Sequence, residues 1–172
     1  MRKLFGHWQK DDRGVSGIEF ALLLPLLLAL LLGTVTIFDL FRTAQSAEKS
    51  TFSVGDMISR HTSADTSLLN EMVTFVEKTV SLSGKARMRV SSISKKSGKL
   101  ILDWSKVVGN TAITLDTLTY DLVPDIAEGD SVILTETYMP YRAFVAGFGF
   151  DRFTFNNKAV HRPRFVGKIA FQ

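Results

Sequence analysis

Between Phe20 and Phe38 the chain runs for 19 residues without a charged side chain, and nine of the twelve positions from Leu22 to Gly33 are leucine. As a helix rising 1.5 Å per residue, that run is about 28 Å long, close to the hydrocarbon thickness of a bilayer. It carries no polar stripe that could face water, so it predicts a transmembrane helix. No later stretch is apolar for long enough to make a second crossing, although 45% of the 172 residues are hydrophobic. The expected organisation is a leader at 1–14, a membrane helix at 15–40 and an exported domain at 41–172.

Charge gives an orientation. The leader holds Arg2, Lys3, Lys10 and Arg13 against Asp11 and Asp12, half of the formal net charge of +4. A basic tail beside a membrane helix tends to stay in the cytoplasm, which places residues after about 40 outside. So small an excess of basic residues gives no reason to expect a nucleic-acid partner. The lack of cysteine excludes disulfides and thiol chemistry. Signal peptides carry apolar cores of about 7–15 residues followed closely by a small-residue cleavage site. Here the core is longer, and Ala44-Gln45-Ser46 lies beyond Asp39 and Arg42. An uncleaved anchor is the simple alternative.

The residues ahead of the run point elsewhere. They read Arg13-Gly14-Val15-Ser16-Gly17-Ile18-Glu19-Phe20. A charge at the centre of a membrane helix costs about 3 kcal/mol, less near its end, so Glu19 calls for a reason. Gly14 can extend into a protease cleft, and a cut after it would leave Val15 with a new α-amine and Glu19 as the fifth residue. Gly17 offers a second possible cut. The positive end of the helix dipole favours a carboxylate in the first turns. An amine at about 4 Å adds roughly 4 kcal/mol at an effective dielectric of about 20, before desolvation. Glu19 of one subunit could therefore set register against the amine of a neighbour. Pro25 removes an N–H within the helix and clashes one turn back, which membrane helices tolerate as a kink.

Basic leader, glycine, four residues and then Glu-Phe opening a long apolar helix resembles the start of type IV prepilins. More closely, "RGVSGIEFALLLPLLLALLLG" resembles the TadE-like minor pilins, or pseudopilins, of the tight-adherence (Flp) pilus system. Glu19-Phe20-Ala21 and Pro25 match that family's pattern. "GDSVILTETYMPYR" (129–142) and "AVHRPRFVGKIAFQ" (159–172) are similar to its later segments. The resemblance implies that Gly14 precedes a prepilin-peptidase cut, that Val15 is the mature N-terminus, and that Glu19 and Phe20 serve assembly. It also implies a bacterial inner-membrane protein with a periplasmic C-terminal domain. Its partners would be the prepilin peptidase, other pilin or pseudopilin subunits and the pilus assembly platform, with no cofactor.

Beyond the membrane, Ile37, Phe41, Ala44, Thr51, Val54 and Ile58, with Leu40 and Ala47 beside them, recur at helical spacing. This predicts one helix from about Val15 to Arg60. "HTSADTS" (61–67) reads as a turn. A second helix follows, with Leu68, Leu69, Met72, Phe75, Val76, Thr79 and Val80 on one face and Gly84 near its end. The period then changes to two. "KARMRVSSI", the turn "KKSGK" and "LILDWS" predict a hairpin, and 131–139 and 164–171 predict two more strands. The expected fold is α+β: a long helix, a second helix and a small antiparallel sheet packed on the exported half of the first.

The residues that carry chemistry are scattered. His7, His61 and His161 have no metal-ligand spacing, "GVSG" (14–17) is not a nucleophile elbow, and "GFGFDR" (147–152) falls short of a dinucleotide loop. Asp103, Asp116, Asp121, Asp125, Glu128 and Asp130 read as a solvated acidic face. Arg152, Lys158, Arg162, Arg164 and Lys168 read as a solvated basic strip. The phenylalanines of "FVAGFGFDRFTF" (144–155) either complete the core or form an exposed patch. No enzyme is expected. A signal-anchored periplasmic binding or sensory domain stands as the competing reading.

Overall fold

A computed structural model describes residues 15–80, 82 and 84–172; the leader, and with it Gly14, lies outside them. Helix α1 spans Val15–Ser59 without interruption, with Pro25 inside it. At 1.5 Å per residue this is a rod of about 68 Å. Its two halves meet different surroundings. Leu22, Leu26 and Leu30 are 74%, 66% and 65% exposed, whereas Ala47, Val54 and Ile58 are fully buried.

The buried seam of α1 matches the expected face at Ala47, Thr51, Val54 and Ile58 and departs from it toward the apolar run. It comprises Thr36, Thr43, Ala47, Ser50, Thr51, Val54, Gly55, Ile58 and Ser59. Ile37 and Phe41, expected to point inward, are 42% and 62% exposed. Small residues take the inner positions because two strands, β4 (Ser131–Arg142) and β5 (Arg152–His161), lie close against the helix there. Their hydroxyls are satisfied locally: Ser50 Oγ and Thr51 Oγ1 both donate to the Ala47 carbonyl, at 2.9 and 2.8 Å. Thr51 Oγ1 also meets Thr137 Oγ1 of β4 at 2.5 Å. At Gly55 an added Cβ would lie 2.5 Å from the His161 Nδ1, so no side chain fits.

After a turn and the two-residue strand β1 (Ser63–Ala64), Asp65 caps helix α2 (Thr66–Thr79) by accepting from the Leu68 N–H at 2.7 Å. Leu69, Val73 and Val76 form its buried side. Strands β2 (Arg87–Lys96), β3 (Lys99–Gly109), β4 (Ser131–Arg142) and β5 (Arg152–His161) make an antiparallel sheet in the order β3-β2-β4-β5. The β2–β3 turn puts Ser97 and Gly98 at φ 51° and 74°, the left-handed pair that a two-residue hairpin requires. The α+β class, the continuous helix and the first hairpin are thus as expected.

Two strands differ. β5 is absent from the expected set, because Asn156-Asn157-Lys158 breaks the apolar alternation that Phe153 and Phe155 begin. Conversely, 164–171 is mostly irregular and contributes only β6 (Ala170–Phe171), paired in parallel with β1. Pro163, which has no N–H to give a ladder, separates β5 from this segment.

The sheet is covered on both faces. Met88, Val90, Ile133 and Met139 pack with α1, α2 and Ile169. Their neighbours Ile93, Val132 and Leu134 face the other way, against Ile126, Leu118, Tyr120 and Val123 of the irregular segment after β3. Hence β2 and β4 are buried along nearly their whole length. The close helix–sheet seam predicts that Ala47→Leu costs about 1–3 kcal/mol through overpacking. Denaturant unfolding of the detergent-solubilised chain measures it.

Candidate functional site

The N-terminal half of α1 offers an apolar surface with one acid on it. It is long and apolar enough to span a membrane, and most of its side chains are exposed rather than packed into the core. Glu19 and Phe20 lie in the first two turns of the described helix, both exposed. Glu19 makes no hydrogen bond or ion pair with another described residue. Gly14 lies outside the described residues, and the helix continues through Pro25.

Where the apolar run ends, the sheet is tied to the helix. Tyr141 at the end of β4 donates its hydroxyl proton to Asp39 Oδ2 at 3.0 Å. Burial first, and then the Asp39 carboxylate, push the Tyr141 pKa up to about 12. The rings of Phe153 and Phe155 stand 5.2 and 5.6 Å from that of Tyr141. Beyond this point the β4–β5 loop, residues 143–151, passes alongside α1. Phe148 lies against Gly33, where an added Cβ would be 3.1 Å from the ring. No local sequence pattern encodes either contact, although Asp39, a lone acid closing the apolar run, is a usable signal.

On the far face of the sheet Glu136 is fully buried between two cations. Arg89 Nε donates to one carboxylate oxygen, and Lys158 Nζ is 3.1 Å from the other. Arg89 also donates to the Asp116 carbonyl at 2.9 Å. The hydrogen bond to Glu136 leads in holding the Arg89 pKa above its ordinary value, against desolvation. This triad lies across β2, β4 and β5 at paired positions.

The charged strips are not free solvated faces. Arg162 pairs with Asp130, Arg164 with Asp56 and Lys168 with Asp103. Lys95 reaches Asp125 at 2.5 Å, and Glu128 accepts from the Ser97 and Gly98 N–H groups of the β2–β3 turn. The expected basic strip therefore stitches residues 162–168 onto the domain. Hydrogen bonds from Arg60 above all, aided by Arg164, lower the Asp56 pKa.

Among the described residues no cluster of His, Asp and Glu is placed to hold a metal. His61 is exposed, and His7 lies outside the described residues. His161, on β5, lies under Gly55 with Phe52 edge-on at 4.5 Å, and neither ring nitrogen has a partner. The "GFGFDR" stretch lies in the β4–β5 loop and the start of β5, with no helix following it. An open groove of about 850 Å³ runs between α1 and the β5 edge, lined by Glu48, Lys49, Phe52, Leu122, Asn156 and Lys158 among others.

Comparison with protein families returns a match to the family described as TadE-like protein, over residues 14–52. The resemblance read from the N-terminal residues is borne out over that segment. No curated protein and no solved structure matches the chain.

Two outcomes follow from the buried charges. Glu136→Leu leaves Arg89 and Lys158 uncompensated and is expected to cost about 3–5 kcal/mol in denaturant unfolding. Burial lowers the His161 pKa from 6.5, opposed by Asp56 and reinforced by Arg164. The folded protein thus favours neutral His161, while the unfolded chain takes up the proton. This contribution is present above pH 6.5 and is lost as pH falls below it. Unfolding curves across that range should show a shallower acid decline in His161→Gln than in the parent.

Proposed function

We propose that the chain is a TadE-like minor pilin, a structural subunit acting in the assembly of a Flp-type tight-adherence pilus. The observation that carries this reading is the family match beginning at Gly14 and running through Glu19 and the apolar run. As described from Val15 onward, α1 lies wholly beyond the proposed cut, so cleavage there would remove the leader and leave the described helix whole. Division into a cytoplasmic leader, a membrane helix and an exported domain belongs to the same proposal, as do the inner membrane and the prepilin peptidase.

In the mechanism, the leucine surface of residues 20–38 bundles with equivalent helices of other subunits. Glu19, exposed and without a described partner, meets the Val15 amine of a neighbour. In apolar surroundings an unpaired carboxylate is costly, so bundles in the paired register are favoured over slipped ones. Phe20 packs beside that pair, and Pro25 gives the helix a place to bend. The exported domain, rigidly continuous with α1, is carried wherever the bundle goes.

The test is the intact mass of the membrane-expressed protein with and without a co-expressed prepilin peptidase. A peptidase-dependent loss matching residues 1–14 is expected. An unchanged mass beside an active peptidase would leave an uncleaved anchored domain and overturn the proposal. A loss matching residues 1–17 would move the cut to Gly17 and remove the Glu19 geometry argued here. Glu19→Ala should be cleaved normally yet yield few assembled pili by shear preparation and immunoblot; normal piliation would sink the register argument.

A further inference from the structure

We propose that the β4–β5 loop, residues 143–151, is a second membrane contact, inserting its phenylalanines into the leaflet around the C-terminal end of the apolar run. The inference rests on reading α1 as spanning a membrane. If α1 does so, the height of the loop is set by its contact with the helix. Phe148 packs on Gly33, and Gly33 lies five residues inside the run that ends at Phe38. At 1.5 Å per residue this puts the ring about 7 Å below the run's end. Gly33 has no side chain to stand between helix and loop, which is what lets the ring reach that depth.

The loop's composition suits that position. Residues 143–150 carry no charge and include Phe144, Phe148 and Phe150. Phe144 is 75% and Phe150 46% exposed. Asp151, which closes the loop, is exposed and bonds the loop's own N–H groups. Asp151 accepts from the Gly147 N–H through its side chain and from the Ala143 N–H through its carbonyl, at 2.8 and 2.9 Å. Aromatic rings at the depth of the interface are a common membrane anchor.

The neck of the hairpin supplies an independent observation. Arg142 and Arg152 are directly paired across β4 and β5. Both are exposed, and neither has an acidic partner among the described residues. Like charges placed opposite each other disfavour a hairpin unless an anion lies between or beside them. Tyr141, next to Arg142, is bonded to Asp39, the residue after the apolar run. The two guanidinium groups therefore stand at the level of lipid phosphates, above rings at the level of acyl chains. A bilayer satisfies both layers at once.

The chain has no cysteine, so single thiols can be placed cleanly. Phe144→Cys and Phe150→Cys leave the Phe148–Gly33 contact intact. Leu26→Cys marks the span, and Lys99→Cys marks the β2–β3 turn at the far end of the sheet. Each full-length variant would carry an environment-sensitive fluorophore in vesicles of zwitterionic and anionic phospholipid containing spin-labelled acyl chains. Labels at 144 and 150 should emit blue-shifted and lose most of their fluorescence to the spin labels, as at Leu26→Cys, while Lys99→Cys stays bright. Loop labels that match Lys99→Cys beside a quenched Leu26→Cys would put the loop in water and overturn the proposal. Blue-shifted loop labels that lipid does not quench would mean a protein neighbour, such as a second copy, and overturn it equally. An unquenched Leu26→Cys would overturn the spanning reading itself, and the loop proposal with it.

Discussion

Contact between α1 and the sheet is made through residues that are nearly all small, and most other features of the domain depend on it. Thr43, Ala47, Ser50, Thr51 and Gly55 let β4 and β5 come close enough for Thr51 to touch Thr137 and for His161 to fill the space beside Gly55. The same seam continues downward through Asp39–Tyr141 to Gly33–Phe148. Contacts spread from residue 33 to residue 55 cover about 33 Å of helix. Attachment over that length fixes the direction of the sheet and aims one end of the β4–β5 hairpin along the apolar half.

Covering the sheet on its second face has a different solution. A buried strand position opposite apolar neighbours would ordinarily be apolar, yet β4 places Glu136 there. It is held by Arg89 on one side and Lys158 on the other, so three strands are matched by charge at one level. Such a group adds little net stability over a well-packed apolar trio, but any slipped pairing of the strands would strand a buried charge. Thus one acid sets the relative position of β2, β4 and β5. Asp116, whose carbonyl meets Arg89 and whose carboxylate meets Asn156, brings the irregular segment to the same place.

How much of this was legible depended on the kind of signal. Large apolar residues at period 3.6 or 2 revealed α1, α2 and the β2–β3 hairpin, and the acid ahead of the leucine run revealed the candidate assembly site. The inner face of α1 is legible at Ala47, Thr51, Val54 and Ile58 but not at Thr36, Thr43 and Ser50, which carry no hydrophobic signal, whereas Ile37 and Phe41 carry a strong one that faces outward. β5 was missed because an edge strand with Asn156, Asn157 and Lys158 at its centre has little contrast between its faces. Ion pairs between the acidic middle and the basic tail join residues more than 30 positions apart, as Arg162–Asp130 and Lys168–Asp103 do, and no local pattern encodes them.

The pairing of β6 with β1 sets an order of events. Ile169 is fully buried, its carbonyl accepts from Trp104 Nε1 at 2.9 Å, and the Gln172 N–H reaches back to Ala64. These groups close over helices and strands that a ribosome has already finished. Until they arrive, Trp104 and the junction between α1 and α2 lack their cover. The domain therefore stays ajar until residues 169–172 are in place, and the step that seals it cannot run ahead of their synthesis.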